Sequence, residues 1–177
     1  MSNPDLRPSY PDGIEEDHAR PVSGLRHHAS PLGLVAFGSV VILAAFGLLG
    51  RERTWSAEGG GARLTVHTSE IIRNGEFFEL RIGVEALEPI RELVVGVEDD
   101  LWEDMTVNTI LPGPADEENL RGETRFSYAE LGAGESQLLK LDLQVNPDIL
   151  GANEGTVTVY DGADALASSD LSITVLP

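Results

Sequence analysis

The chain has 177 residues, with 30 acidic against 12 basic side chains, a formal net charge of -18 and no cysteine. Such a polyanion has no basic stripe to neutralise phosphates, which argues against nucleic acid as a partner. The missing thiols exclude disulfides, thiolate metal sites and a cysteine nucleophile, and the length accommodates one domain plus an appendage.

Residues 1–30 mix prolines with both charge signs and show little apolar clustering. They are predicted to form a flexible polar tail that cannot bury enough surface to offset its ordering entropy. The next stretch, Leu32 to Leu49, holds eighteen residues without a charge and has Ser39 as its one hydroxyl. A helix of that length spans about 27 Å, near the lower limit for crossing a hydrocarbon core. A transmembrane helix is therefore predicted over residues 31–50. Ser30 and Pro31 suit its cap and first helical position, and Arg51 and Arg53 suit the headgroups. The run is longer than the h-region of a secretory signal and has no small-residue cleavage site directly after it. Within it Gly33, Val40 and Gly47 are spaced by seven, as are Ala36, Leu43 and Gly50. A seam of Gly33, Ala36, Val40 and Gly47 would let a second transmembrane helix approach closely, so these four are candidate interaction residues. Trp55 suits an interfacial aromatic belt, and residues 51–61, ending in Gly59-Gly60-Gly61, read as a linker.

From Ala62 onward the apolar period changes to two. Phe78, Leu80, Ile82 and Val84 alternate with Glu79, Arg81 and Gly83, and Leu139, Leu141, Leu143 and Val145 repeat the pattern, as expected of strands with one buried face. Further strands are predicted over Leu64–Thr68, Ile90–Val97, Met105–Leu111, Arg125–Tyr128, Thr156–Tyr160 and Leu171–Val175. Turn signals at Asn74-Gly75, Pro112-Gly113-Pro114, Gly132-Ala133-Gly134, Asn146-Pro147-Asp148 and Asp161-Gly162 separate them. About eight short strands without amphipathic crossover helices predict an all-β sandwich over residues 62–177.

Three segments in this region carry a resemblance. Met105-Thr106-Val107-Asn108-Thr109-Ile110-Leu111-Pro112, Phe126-Ser127-Tyr128 and Leu131-Gly132-Ala133-Gly134-Glu135-Ser136 together resemble bacterial immunoglobulin-like repeats of the conserved-repeat type found in cell-surface proteins. The resemblance implies an immunoglobulin-like β-sandwich and an extracytoplasmic habit, and it transfers no catalytic residue. The arginines flanking the apolar run do not decide orientation. The expected location is the cell membrane, single-pass, with the C-terminal domain extracytoplasmic.

Few residues suggest chemistry. His18, His27, His28 and His67 show no metal-ligand spacing in the sandwich, and neither a nucleophile elbow nor a phosphate loop is present. Glu98-Asp99-Asp100, Glu103-Asp104 and Asp116-Glu117-Glu118 are expected in acidic loops. A calcium-dependent or enzymatic use of those loops is the alternative reading, although the Asp-x-Asp-x-Asp-Gly spacing of a calcium loop is absent. Trp102, set among these acids, reads either as cover for the edge of the core or as an anchor for a partner. No cofactor, metal or small-molecule substrate is expected. The predicted function is a non-enzymatic interaction module tethered to the lipid bilayer, an accessory subunit of an envelope complex that contacts another membrane or envelope protein.

Overall fold

The computed structural model describes residues 25–46, 50, 52–147 and 150–177, without the side chains of residues 25–29. The expected tail as far as residue 24, together with Gly47, Arg51 and Asp148, lies outside the described residues. The chain divides into two units, Met1–Phe46 and Gly47–Pro177.

The first unit carries α1 (Leu25–Ala45). It begins upstream of the expected cap, and Pro31 stands inside it instead of at its start. Helix-tolerant Leu25, Arg26 and Ala29 extend the helix backwards, at the expense of the hydrogen bond that Pro31 has no N–H to make. The side chains described from Leu32 to Phe46 are almost all exposed. Ser39 donates its hydroxyl to the Val35 carbonyl at 2.8 Å, so the one polar side chain of the run is satisfied within the helix. Among the described residues no helix is long and apolar enough to cross a membrane. The apolar run continues past Ala45 into residues 47–49, outside the described residues.

The second unit is built from eleven strands: β1 (Glu52–Gly59), β2 (Ala62–Ser69), β3 (Ile71–Arg73), β4 (Phe77–Ala86), β5 (Leu93–Glu98), β6 (Met105–Leu111), β7 (Asp116–Asn119), β8 (Glu123–Ser127), β9 (Ser136–Val145), β10 (Gly151–Asp161) and β11 (Asp164–Leu176). They form one sheet of order β1-β2-β4-β9-β6 and another of order β3-β11-β10-β5-β8-β7. All pairings are antiparallel except β3 with β11. The period-two pattern works as predicted: Leu80, Ile82 and Val84 of β4 and Leu139, Leu141, Leu143 and Val145 of β9 are buried on one face. Against them the second sheet buries Leu93, Val95 and Val97 of β5, Phe126 of β8, Val157 and Val159 of β10, and Leu171, Ile173 and Val175 of β11. The fold is thus an all-β two-layer sandwich. Taken in chain order, β2, β4, β9 and β6 reproduce the A-B-E-D sheet of an immunoglobulin domain, and β5, β10 and β11 reproduce C-F-G. The additions are β1 beside A, β3 beside G, and the β7–β8 hairpin beside C.

Two expectations are corrected here. The sandwich begins at Glu52, because the predicted linker is β1, paired with β2 from Glu52↔Ser69 to Gly59↔Ala62. Gly60 and Gly61 are its two-residue turn, with φ of 51° and 82°, the left-handed values that a tight hairpin requires. The glycines also permit close approach. A Cβ on Gly59 would lie 2.7 Å from the Leu166 carbonyl oxygen, and one on Gly60 would lie 2.8 Å from the Leu166 Cα. Trp55, expected at a membrane boundary, is a half-buried residue of β1 packed against the core, with the Arg53 guanidinium 5.1 Å from its ring centre. The second correction is Asp116-Glu117-Glu118, which forms most of β7 instead of a loop.

Candidate interaction site

On one side the sandwich is closed by the packing of the β1 hairpin on Leu166. On the other side two edge strands, β6 of the first sheet and β7 of the second, border a groove. The groove has a volume of about 380 Å³ and is lined by Trp102, Met105, Val107, Asn108, Thr109, Ile110, Glu117, Thr124 and Phe126.

Its shape follows from the register. Met105 opposes Val145, Val107 opposes Leu143 and Ile110 opposes Leu141, so all three share the inward face with buried partners. Val107 and Ile110 are three apart and would face opposite ways in a regular strand. The bulge at Asn108, which has no partner on β9, returns the strand to the same face. Although Val107 faces inward it is 39% exposed. The floor is Phe126, fully buried, with Trp102 set edge-on to it at 5.9 Å between ring centres and 82° between planes. A 3₁₀ turn, Asp99–Leu101, places Trp102. Its N–H donates to the Asp99 carbonyl and its own carbonyl accepts from Met105 N–H at 2.9 Å. Glu117, opposite Phe126 on β7, supplies the one charged side chain of the lining. Burial, and after it the Glu117 charge, push the nearby Tyr128 phenol up to about 12.

The hairpin that forms one wall is fastened from outside. On the outer face of the second sheet Tyr160 donates to both Glu123 carboxylate oxygens, at 2.8 and 3.0 Å. Arg125 donates to Glu123 at 2.6 Å and stacks 4.4 Å above the Tyr160 ring. Gly96, between them on β5, leaves the space in which β8 and β10 side chains meet. Burial, then the Glu123 hydrogen bond, raise the Tyr160 pKa, and the same carboxylate raises that of Arg125. At the hairpin's end Asp99 accepts from Asn119 at 2.7 Å and Thr124 at 2.8 Å, bonds that hold its carboxyl below the ordinary range.

The acidic residues are dispersed by this geometry. Strand alternation puts Asp116 and Glu118 on the outer face and Glu117 on the inner. Asp99 is held by two protein donors, and Glu98 accepts from Thr156 N–H at 2.9 Å. Among the described residues no group of three or more His, Cys, Asp or Glu side chains is arranged to hold a metal ion. His67 lies on the outer face of the first sheet, with Nδ1 2.9 Å from the Thr54 hydroxyl and Nε2 3.0 Å from Glu52.

Of the residues singled out in the sequence, Trp102 is in the groove, half-buried against the core. Gly33, Ala36 and Val40 are exposed on α1 and belong to the other unit, and Gly47 lies outside the described residues. The sequence reading missed Met105, Val107, Ile110, Glu117 and Phe126 as one site. The signal available for it was the break in alternation across Val107-Asn108-Thr109-Ile110, which marks the bulge.

No family model matches the chain, and no curated protein matches it. Solved structures do. The CARDB domain of a Pyrococcus furiosus protein, in complex with di-metal ions, aligns with a TM-score of 0.40 at 12% identity, over 72% of this chain and 90% of that one. The protein CaCohA2 of Clostridium acetobutylicum aligns with a TM-score of 0.44 at 16% identity, over 66% and 92%. A non-cellulosomal cohesin from Archaeoglobus fulgidus gives 0.40 at 9%, over 62% and 88%. Similarities this distant carry no ligand or activity over to this chain.

Proposed function

We propose that this protein is a non-enzymatic binding module on a membrane tether: its sandwich contacts a protein partner through the flank between β6 and β7. The observation that carries the reading is the exposed inward face of β6, where Val107 remains uncovered above an aromatic floor of Trp102 and Phe126. Apolar core surface left open beside Asn108, Thr109 and Glu117 is the composition of a contact site, with an aromatic centre and a polar margin. The dispersed carboxylates and the mutually bonded Glu123–Tyr160–Arg125 set support binding over catalysis. The uncharged run Leu32–Leu49 supports a single-pass anchor, with Gly33, Ala36, Val40 and Gly47 as its seam toward a second helix. The sandwich, a single immunoglobulin-like domain of the conserved-repeat type, stands on the extracytoplasmic side as an accessory subunit of an envelope complex.

The test has two arms. Carbonate-washed membranes retain the full chain, and protease added to spheroplasts degrades residues 52–177; recovery in the soluble fraction, or complete protection, refutes the anchor or its orientation. Co-purification from gently solubilised membranes is then compared for Val107→Arg and for Leu138→Arg, the latter on the outer face of the first sheet at 48% exposure. The flank is the contact site if Val107→Arg alone removes the partner, and it is not if the two variants behave alike.

A further inference from the structure

The four sheet edges of the sandwich are not equally protected. An edge strand presents unpaired N–H and C=O groups to any extended chain, and proteins blunt such edges with charge, shortness or cover. Here β3 has three residues. Strand β7 has four, three of them acidic. Strand β1 carries Glu52, Arg53 and Glu58, and its hairpin end lies against Leu166. By contrast, β6 runs seven residues, Met105-Thr106-Val107-Asn108-Thr109-Ile110-Leu111, without a charge or a proline, and among the described residues it is paired only with β9. Its bulge does not hide the edge but turns Val107 and Ile110 together toward the groove.

We infer that the occupant of this flank is an extended, cationic peptide segment that adds to β6 as a further strand. Main-chain hydrogen bonds to the free edge supply affinity, and alternate side chains supply selectivity. Those facing inward lie over Trp102 and Phe126, and a lysine or arginine among them meets Glu117. Glu117 is the one charged side chain of the groove's lining, and it is negative. A cation is therefore favoured over an anion, and a second copy of a chain of net charge -18 is disfavoured.

This inference rests on the flank being the binding surface. It is tested with the full chain in detergent and three labelled octapeptides, read by fluorescence anisotropy. The first alternates threonine with valine and lysine (acetyl-TVTKTVTK-amide), the second replaces lysine by glutamate, and the third is the lysine peptide N-methylated at every residue so that neither edge can donate to β6. The expected result is binding of the first alone, weakened about tenfold or more by Val107→Arg and severalfold by the exposed Glu117→Gln. Circular dichroism at each variant's own melting transition confirms that both are folded. Equal binding of the glutamate or N-methylated peptide overturns the inference, as does indifference to both substitutions. Sedimentation showing a dimer abolished by Val107→Arg also overturns it, since the occupant is then a second copy. If Val107→Arg abolishes co-purification while all three peptides fail to bind, the flank stands and the extended cationic occupant falls. If co-purification is indifferent to Val107→Arg, the underlying reading falls first.

Discussion

Replacing Gly96 by alanine tests whether the β7–β8 wall is held by the clamp on the outer face. A Cβ built on Gly96 lies 2.2 Å from Glu123 Oε1, 2.5 Å from its Cδ and 3.1 Å from its Cγ. Restoring ordinary contact requires the carboxylate to move by about 1 Å or more, enough to break the 2.8 and 3.0 Å bonds from Tyr160. A hydrogen bond to a charged group contributes about 1.5–3 kcal/mol. Against this, Gly→Ala in a strand contributes about 0.5–1 kcal/mol in its favour, leaving a net loss of about 1–2 kcal/mol. For a domain of this size the melting temperature falls by roughly 3–8 °C. The control is the same change at Gly83, where a Cβ meets the Thr65 carbonyl oxygen at an ordinary 3.7 Å; Gly83→Ala is expected to stabilise by up to about 1 kcal/mol. Thermal and urea unfolding followed by circular dichroism measure both. In a Glu123→Ala background the penalty of Gly96→Ala disappears, because the clashing carboxylate is gone. Gly96→Ala as stable as Gly83→Ala, or unchanged by removal of Glu123, refutes the reasoning.

The groove's floor and rim are expected to separate on substitution: Phe126→Ala costs about 3–5 kcal/mol and half-buried Trp102→Ala about 2 kcal/mol, whereas Val107→Ala changes stability by less than about 0.5–1 kcal/mol, all read by urea denaturation. Tyr128, pushed up to about 12 by burial and Glu117, favours its neutral form in the fold. Its contribution is complete below the unfolded value near 10 and is lost as pH rises through 12; a tyrosinate difference titration at about 295 nm against Tyr128→Phe checks this. Asp99 has the opposite sign, since its carboxyl is lowered by Asn119 and Thr124. The stability difference between the wild type and Asp99→Asn is expected in full above the unfolded value near 3.9, and it shrinks as pH falls through the lower folded value. A difference that grows on acidification contradicts the assignment.

What the sequence revealed and what it concealed have one physical origin. Strands β4 and β9 were legible because each buries large apolar residues at every second position between charged ones. Strand β1 was not, since its inward positions after Trp55 are Ala57 and Gly59, too small to mark a period, and the approach to Leu166 requires the glycine. Strand β7 reads as an acidic loop because an edge strand that is exposed throughout has no buried face to impose a period. Trp102 could be singled out by type but not placed, because its partner Phe126 arrives from a strand far along the chain. The groove itself is a product of register: β6 announces an irregularity at Asn108, yet only pairing with β9 shows that Val107 and Ile110 share a face.

The central claim, that the β6–β7 flank is where this protein meets its partner, is tested most directly by site-specific photocrosslinking of the full chain in intact cells. A benzophenone side chain replaces Val107 on the flank in one strain and Leu138 on the outer face of the first sheet in another, both being exposed positions. The account predicts a discrete heterologous crosslink from position 107, lost when Glu117→Gln and Thr109→Pro are introduced together, and none from position 138. The same crosslinked species from both positions, or a crosslink from position 138 alone, would contradict it.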